Sequence, residues 1–307
     1  MYHFNKIGII GAGAYGVAIA QCFSSKIRQI MLIGNADSSL SSVNQIFAAL
    51  TDSKSQLNEN ICCTDNFSTI KDCDLIFIAT PAVAVADICE KIKTYGIYAP
   101  VILCSKGFDV KKGRLLSFLA EEILENEIAI FSGPSFAGEI AKGLPAAVNI
   151  AGKNKTLCCN ITACLSSTVL EIKAIDDFIS LQIAGAMKNI LAIGCGVLSG
   201  LQQGENAIAK LIVLGLGEMI ELATALGGQK ETFLEFGGIG DVVLSCASGK
   251  SRNVLLGEYI AGGGKLSDWN GPLAEGAFAA QAIPLFAKNN NLQLGIFSEI
   301  YKILYPI

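Results

Sequence analysis

The stretch Ile7-Gly-Ile-Ile-Gly-Ala-Gly-Ala-Tyr-Gly16 decides the fold. Lys6 to Ile10 is a short run of β-forming apolar residues, and Ala14 to about Ser25 reads as a helix. Gly11, Gly13 and Gly16 sit at the junction. Such glycines permit, in turn, a tight turn, close approach of backbone to a pyrophosphate, and close packing of helix on strand. The helix that follows offers free N–H donors to phosphate charge. The expectation is dinucleotide binding.

Outward from this stretch, Ile30 to Ile33, Leu75 to Ala79, Val101 to Cys104, Ile128 to Phe131 and Ala147 to Ile150 read as further buried strands, several separated by helix-compatible segments. Repeated strand–helix units predict a mainly parallel, doubly wound α/β sheet. A last β-like piece, Val169 to Ala174, precedes Asp176 and Asp177, two good helix-capping residues. Beyond them the chain reads as helices over 178–199, 206–226, 251–261, 273–288 and 297–304, with a flexible connection from Ala261 to Gly264. The expected division is a nucleotide-binding domain over 1–176 and a helical domain over 177–307.

Composition narrows the function. The chain has 307 residues, 51% hydrophobic and 16% charged, with a net charge of −4 and no Lys/Arg-rich run, which argues against nucleic acid as a partner. The two most apolar helices carry Lys188 in one and Lys210, Glu218 and Glu221 in the other, so no integral membrane segment is expected. The N-terminus lacks a basic region and cleavage site, and the expectation is a cytoplasmic protein. Eleven cysteines without a CxxC spacing suit free thiols and no metal site. His3 is the only histidine. Histidine-based nucleophilic, metal and proton-transfer chemistry is therefore improbable.

Another proton carrier is available. In the apolar run Phe178 to Ser199 the single charge is Lys188, whose helical neighbours Leu181, Ala184, Gly185, Leu191, Ala192 and Cys195 are apolar or small. A buried ammonium loses hydration, and its pKa falls toward neutrality, where it can exchange protons. Asn189 lies beside it. Lys106 follows a strand at the carboxyl end, where open α/β sheets bind ligands, and SGPSFAGE places Gly133 and Ser135 at another such end. The stretch GGIGDVVLSCASGKSRN adds Asp241 and, at a helix start, Ser251, Arg252 and Asn253, whose hydroxyl, guanidinium and amide match a phosphate monoester. A plain capped helix start would look the same.

Taken in order, GAGAYG, SKG, GPSFA with GLPAAV, AGAMKN, GIGDVVLSC, SRN and AEG resemble the motif series of the NAD(P)-dependent glycerol-3-phosphate dehydrogenases over nearly the whole chain. The resemblance implies a Rossmann-type N-terminal domain and an all-α C-terminal domain of the 6-phosphogluconate dehydrogenase-like kind. It implies a cytoplasmic homodimer that interconverts dihydroxyacetone phosphate and glycerol 3-phosphate for phospholipid synthesis, with NAD or NADP as cofactor and a small phosphate ester as substrate. On this resemblance Lys188 is the proton donor or acceptor, Lys106 touches substrate and cofactor, and Asp241 holds Lys188. Gly133, Ser135, Asn189, Asp241, Ser251, Arg252 and Asn253 bind substrate together with Lys106 and Lys188. Gly11, Gly13, Ala14, Tyr15, Gly16, Asn35, Lys106, Ala137, Arg252, Leu273 and Glu275 fall where the family contacts the nucleotide.

The sequence departs from the family pattern at Tyr15, where another aromatic is usual, at Asn35 in place of Arg, at Gln182 in place of Glu and at Leu214 in place of Arg. Asp37, beyond the second strand, is the nearest acid for the adenosine ribose, and NAD versus NADP stays open here. The alternatives are a β-hydroxyacid dehydrogenase of the 6-phosphogluconate dehydrogenase type and a non-catalytic NAD(P)-binding sensor.

Overall fold

The computed structural model describes residues 4–35, 38–249 and 251–306. The chain forms two compact units. The first takes the described residues up to Ser105 and then Ser117–Phe178, and the second takes Lys106–Leu116 and everything from Ile179 onward. The division is therefore not the contiguous one expected from the sequence, because Lys106–Leu116 packs with the helical unit.

The first unit is built on an eight-stranded sheet in the order β10-β9-β8-β5-β4-β1-β2-β3. The strands are β1 (Lys6–Ile10), β2 (Gln29–Ile33), β3 (Ile61–Thr64), β4 (Leu75–Ile78), β5 (Val101–Leu103), β8 (Ile128–Ser132), β9 (Ala146–Gly152) and β10 (Leu170–Ile175). All neighbouring pairs run parallel except β8 with β9. Strands covered on both faces read as unbroken apolar runs, and β4 and β8 are buried at every position. The covering helices are α1 (Ala14–Phe23), α2 (Leu40–Thr51), α3 (Val85–Thr94), α4 (Leu116–Ile123), α5 (Ala137–Ala141) and α6 (Lys155–Leu165). Between α1 and the sheet, Phe23 tilts against Phe77 at 5.3 Å and Phe131 meets Phe77 edge-on at 5.8 Å.

The second unit is helical apart from a short antiparallel hairpin, β6 (Phe108–Asp109) with β7 (Arg114–Leu115). The hairpin packs on the helices through Phe108, whose ring meets Phe286 at 4.8 Å. The helices are α7 (Phe178–Gly200), α8 (Glu205–Ala225), α9 (Asp241–Ala247), α10 (Arg252–Ala261), α11 (Glu275–Ala280), α12 (Ile283–Asn290) and α13 (Gly295–Leu304). The single helix expected over 273–288 is two, α11 and α12. Pro284, in the first turn of α12, has no N–H to give and its ring clashes with the preceding turn, so a new helix starts there.

Helix α7 is long and apolar enough to cross a membrane, but 94% of its most apolar window is buried inside the protein. A helix apolar on every side is a core helix when other helices surround it, and α7 is ringed by α8, α10, α11 and α13. Leu191 lies against Gly215 of α8, and Ile300 of α13 lies against Gly194. The closest approach is to α10, where a Cβ on Gly257 would run into the carbonyl oxygen of Ile193. Gly257→Ala is therefore expected to force the two helices apart and lower stability in urea by about 1–3 kcal/mol, as overpacked cores do. An unchanged urea midpoint would show that the backbones can separate freely.

Candidate active site

The glycine turn of the first unit has the expected geometry. Gly11 has φ +117°, which L side chains rarely adopt, and a Cβ on Gly16 would collide with the carbonyl oxygen of Gly11. Gly13, at the N-cap of α1, has open space around it and no side-chain cap. The turn thus leaves exposed Gly13 and Ala14 with bare backbone at a helix N-terminus, a cradle for a pyrophosphate.

Tyr15 turns back from α1 toward the end of β8. Ser135 donates its hydroxyl proton to the Gly133 carbonyl at 3.0 Å, and the Tyr15 hydroxyl stands 3.4 Å from Ser135 Oγ. With the serine proton committed, Tyr15 is the donor of that contact. Ala137 begins α5 nearby in the chain. Asn35 is exposed just past β2, where its side-chain oxygen accepts from Ser38 Oγ at 2.7 Å. Asp37 and His3 lie outside the described residues.

The second unit gathers the ionic chemistry. Asp241, at the start of α9, is 1% exposed and uses each carboxylate oxygen for a different lysine. Lys188 Nζ on α7 donates to Oδ1 at 2.5 Å, and Lys106 Nζ donates to Oδ2 at 2.7 Å. Lys188 gives a second proton to Ser245 Oγ at 2.6 Å. Burial pushes the Lys188 ammonium down to about 8 against the pull of Asp241, and the Lys106 charge adds to the depression. The lysine therefore holds or gives up its proton close to neutral pH.

Glu275, opening α11, completes the charge cluster. Burial pushes its carboxyl above the usual carboxylate range, while Arg252, Lys106 and Lys188 pull it back. Beneath the charges runs a chain of amides. The Gly276 backbone N–H donates to Asn253 Oδ1 at 3.0 Å, and Asn253 Nδ2 donates to Asn189 Oδ1 at 3.1 Å. This sequence of donors uses the Asn189 oxygen and leaves its NH2 outside the chain of amide bonds.

At the start of α10, Ser251 occupies the N-cap but makes no capping bond, so its buried hydroxyl and the first-turn N–H groups stay uncommitted to each other. Arg252 is exposed. Leu273 is 54% exposed. Within the second unit the structure brings together Lys106, Lys188 and Asp241 by direct bonds, and Asn189 with Asn253. Within the first it brings together Tyr15, Gly133 and Ser135.

Two participants escaped the sequence reading. Ser245 stands four residues after Asp241, on the same helical face, and that spacing was the available signal. The Gly276 N–H carries no sequence signal at all, since any non-proline residue has one.

Known proteins match the chain over nearly its whole length. Residues 6–158 match the description NAD-dependent glycerol-3-phosphate dehydrogenase N-terminus, and residues 177–306 match the corresponding C-terminus. The chain belongs to the NAD-dependent glycerol-3-phosphate dehydrogenase family. Relatives in it include the glycerol-3-phosphate dehydrogenase (NAD(P)+) of Parvibaculum lavamentivorans, 32% identical over 98% of this chain and 92% of its own length. The enzyme of the same name from Brachyspira hyodysenteriae is 34% identical over the same shares. Among solved structures, the glycerol-3-phosphate dehydrogenase of Coxiella burnetii superposes with a TM-score of 0.90 at 27% identity, covering 99% of this chain and 95% of its own. A D-mandelate dehydrogenase, at 14% identity and a TM-score of 0.61, shares the fold alone. Membership of the glycerol-3-phosphate dehydrogenase family accounts for the doubly wound first unit and the helical second one.

Proposed function

We propose that this member of the family is an oxidoreductase that interconverts dihydroxyacetone phosphate and sn-glycerol 3-phosphate with NAD(H) or NADP(H). The observation that carries the reading is the buried Lys188, tuned close to neutrality and held by Asp241 in a chain whose relatives are named for this reaction. The glycine turn of the first unit fits the nucleotide, because Gly13 is open where a pyrophosphate would approach. A bound nicotinamide would supply or accept the hydride at C2.

The residues of the second unit supply the proton and the grip. In reduction the Lys188 ammonium donates a proton to the carbonyl oxygen as that oxygen becomes a hydroxyl, and in oxidation the neutral amine takes it back. Asp241 holds the Nζ in one orientation. Lys106, on the other carboxylate oxygen, adds positive charge that favours the developing oxyanion. Ser251, Arg252, Asn253 and the remaining amide NH2 of Asn189 suit the phosphate and hydroxyl ends of the substrate. Gly133 and Ser135 add polar backbone and a hydroxyl on the first unit. On the same reading, the chain works as a cytoplasmic homodimer that supplies glycerol 3-phosphate to phospholipid synthesis.

The test is the loss of NADH or NADPH absorbance when dihydroxyacetone phosphate is added to the purified protein. Turnover is the expected result. Nucleotide binding without turnover would overturn the reading in favour of another hydroxy acid or a sensor.

A further inference from the structure

We infer that Gly276 is a positioning residue for the substrate: its backbone N–H fixes which way the amides of Asn253 and Asn189 face, so that the groups they keep for a substrate anion are N–H donors. The inference rests on the reading of Asn189 and Asn253 as substrate-binding residues.

The two ends of an amide side chain are nearly alike in shape, so packing alone does not decide which of them is oxygen. A backbone group decides it in this protein. Helix α11 begins at Glu275, which makes the Gly276 N–H one of the first-turn donors that have no acceptor within their own helix. Ala274, at the N-cap, has no side chain able to take it. The acceptor comes from α10 instead, as Asn253 Oδ1 at 3.0 Å in a contact shut off from water. A backbone N–H can only donate, so that end of Asn253 must be oxygen and the other end nitrogen. Asn253 Nδ2 then donates to Asn189 at 3.1 Å, which makes the receiving end of Asn189 oxygen in its turn. Donation therefore runs one way, from α11 through α10 to α7, and the polar ends left outside these bonds are nitrogens. An ionised phosphate oxygen only accepts, so an amide turned over would set a carbonyl lone pair against it.

Glycine at 276 permits this approach. Its φ is not positive, so backbone freedom is not the reason for it. A Cβ there would overlap the Asn189 carbonyl and stand 3.0 Å from Asn253 Oδ1. Helix α7 is buried along most of its length, whereas α11 has only six residues, so α11 is the element that would yield. Its N–H would then leave Asn253, and both amides would lose the group that orients them.

The test is Gly276→Ala in the whole protein, assayed with dihydroxyacetone phosphate at saturating nucleotide. KM is expected to rise by at least about tenfold, the worth of one hydrogen bond to a charged group. The value of kcat should stay within about threefold of wild type, since what is lost is binding common to ground state and transition state. Its pH midpoint should not move, because the bond of Lys188 to Asp241 is untouched. A double-mutant cycle separates positioning from general damage. With the oriented amide already removed by Asn253→Ala, adding Gly276→Ala should raise KM by less than about threefold further. A KM unchanged by Gly276→Ala, or two effects that multiply in full, would overturn the inference and leave the reaction in place. Absence of turnover by the wild type would overturn the reaction reading itself. Should Gly276→Ala fail to fold, hydrogen exchange at the Gly276 N–H decides: Asn253→Ala is expected to speed it by at least about tenfold, and an unchanged rate would overturn the inference.

Discussion

Lys188→Ala is expected to lower kcat for dihydroxyacetone phosphate reduction by about a thousandfold, within the range that a positioned general acid supplies. Nucleotide affinity should change little, because the glycine turn is in the other unit. The wild type should carry the signature of the same group in its pH profile. Reduction needs the ammonium, so its rate falls as pH rises through about 8, and oxidation of glycerol 3-phosphate needs the amine, so its rate rises across the same range. Stability follows the same proton. Above about 8 the folded protein has released it while the unfolded chain still holds it, so this group's contribution to stability grows with pH up to the ordinary lysine range. Activity in the variant within tenfold of wild type would assign the proton transfer to another group.

Asp241→Asn should have the second large effect, and on two readouts at once. The carboxylate is the shared acceptor for Lys106 and Lys188, and removing one member of a buried ion pair leaves uncompensated charge, at a cost of about 3–5 kcal/mol. The Lys188 pKa should drop further once its attractive partner is gone, leaving burial and Lys106 unopposed. Reduction at neutral pH is therefore expected to fall by at least about a hundredfold, with the midpoint of the remaining pH profile displaced below that of the wild type. A loss of stability with an unmoved midpoint would make Asp241 a structural residue only.

The seven strands read from the sequence lie within a residue or two of their observed positions; most are the unbroken apolar runs of strands covered on both faces, while β10 alternates buried and exposed residues as a strand with one solvated face does. Strand β3 was missed. Ile61-Cys-Cys-Thr64 is four residues long, half-exposed at the sheet edge and flanked by polar residues on both sides. The hairpin Phe108–Leu115 was missed for a different reason, since strands of two residues have no periodicity to detect. Helix α9 was hidden by the glycines before it, which read as a turn.

In the site, Lys188 stood out because a lone charge on an apolar helix has few explanations. Its proximity to Asp241, fifty-three residues later, is a tertiary fact. The resemblance named both residues, but neither composition nor spacing could join them. Ser245 became visible only with α9 in place.

The excursion Lys106–Leu116 bears on how such a protein can be taken apart. The chain passes from one unit to the other after Ser105, returns after Leu116 and leaves again after Phe178. No single cut separates the halves. A fragment starting at residue 177 would lack both Phe108, which fills the core against Phe286, and Lys106, which shares Asp241. Recombination that exchanged the helical half at one crossover near residue 177 would leave that hairpin with the other parent's helices.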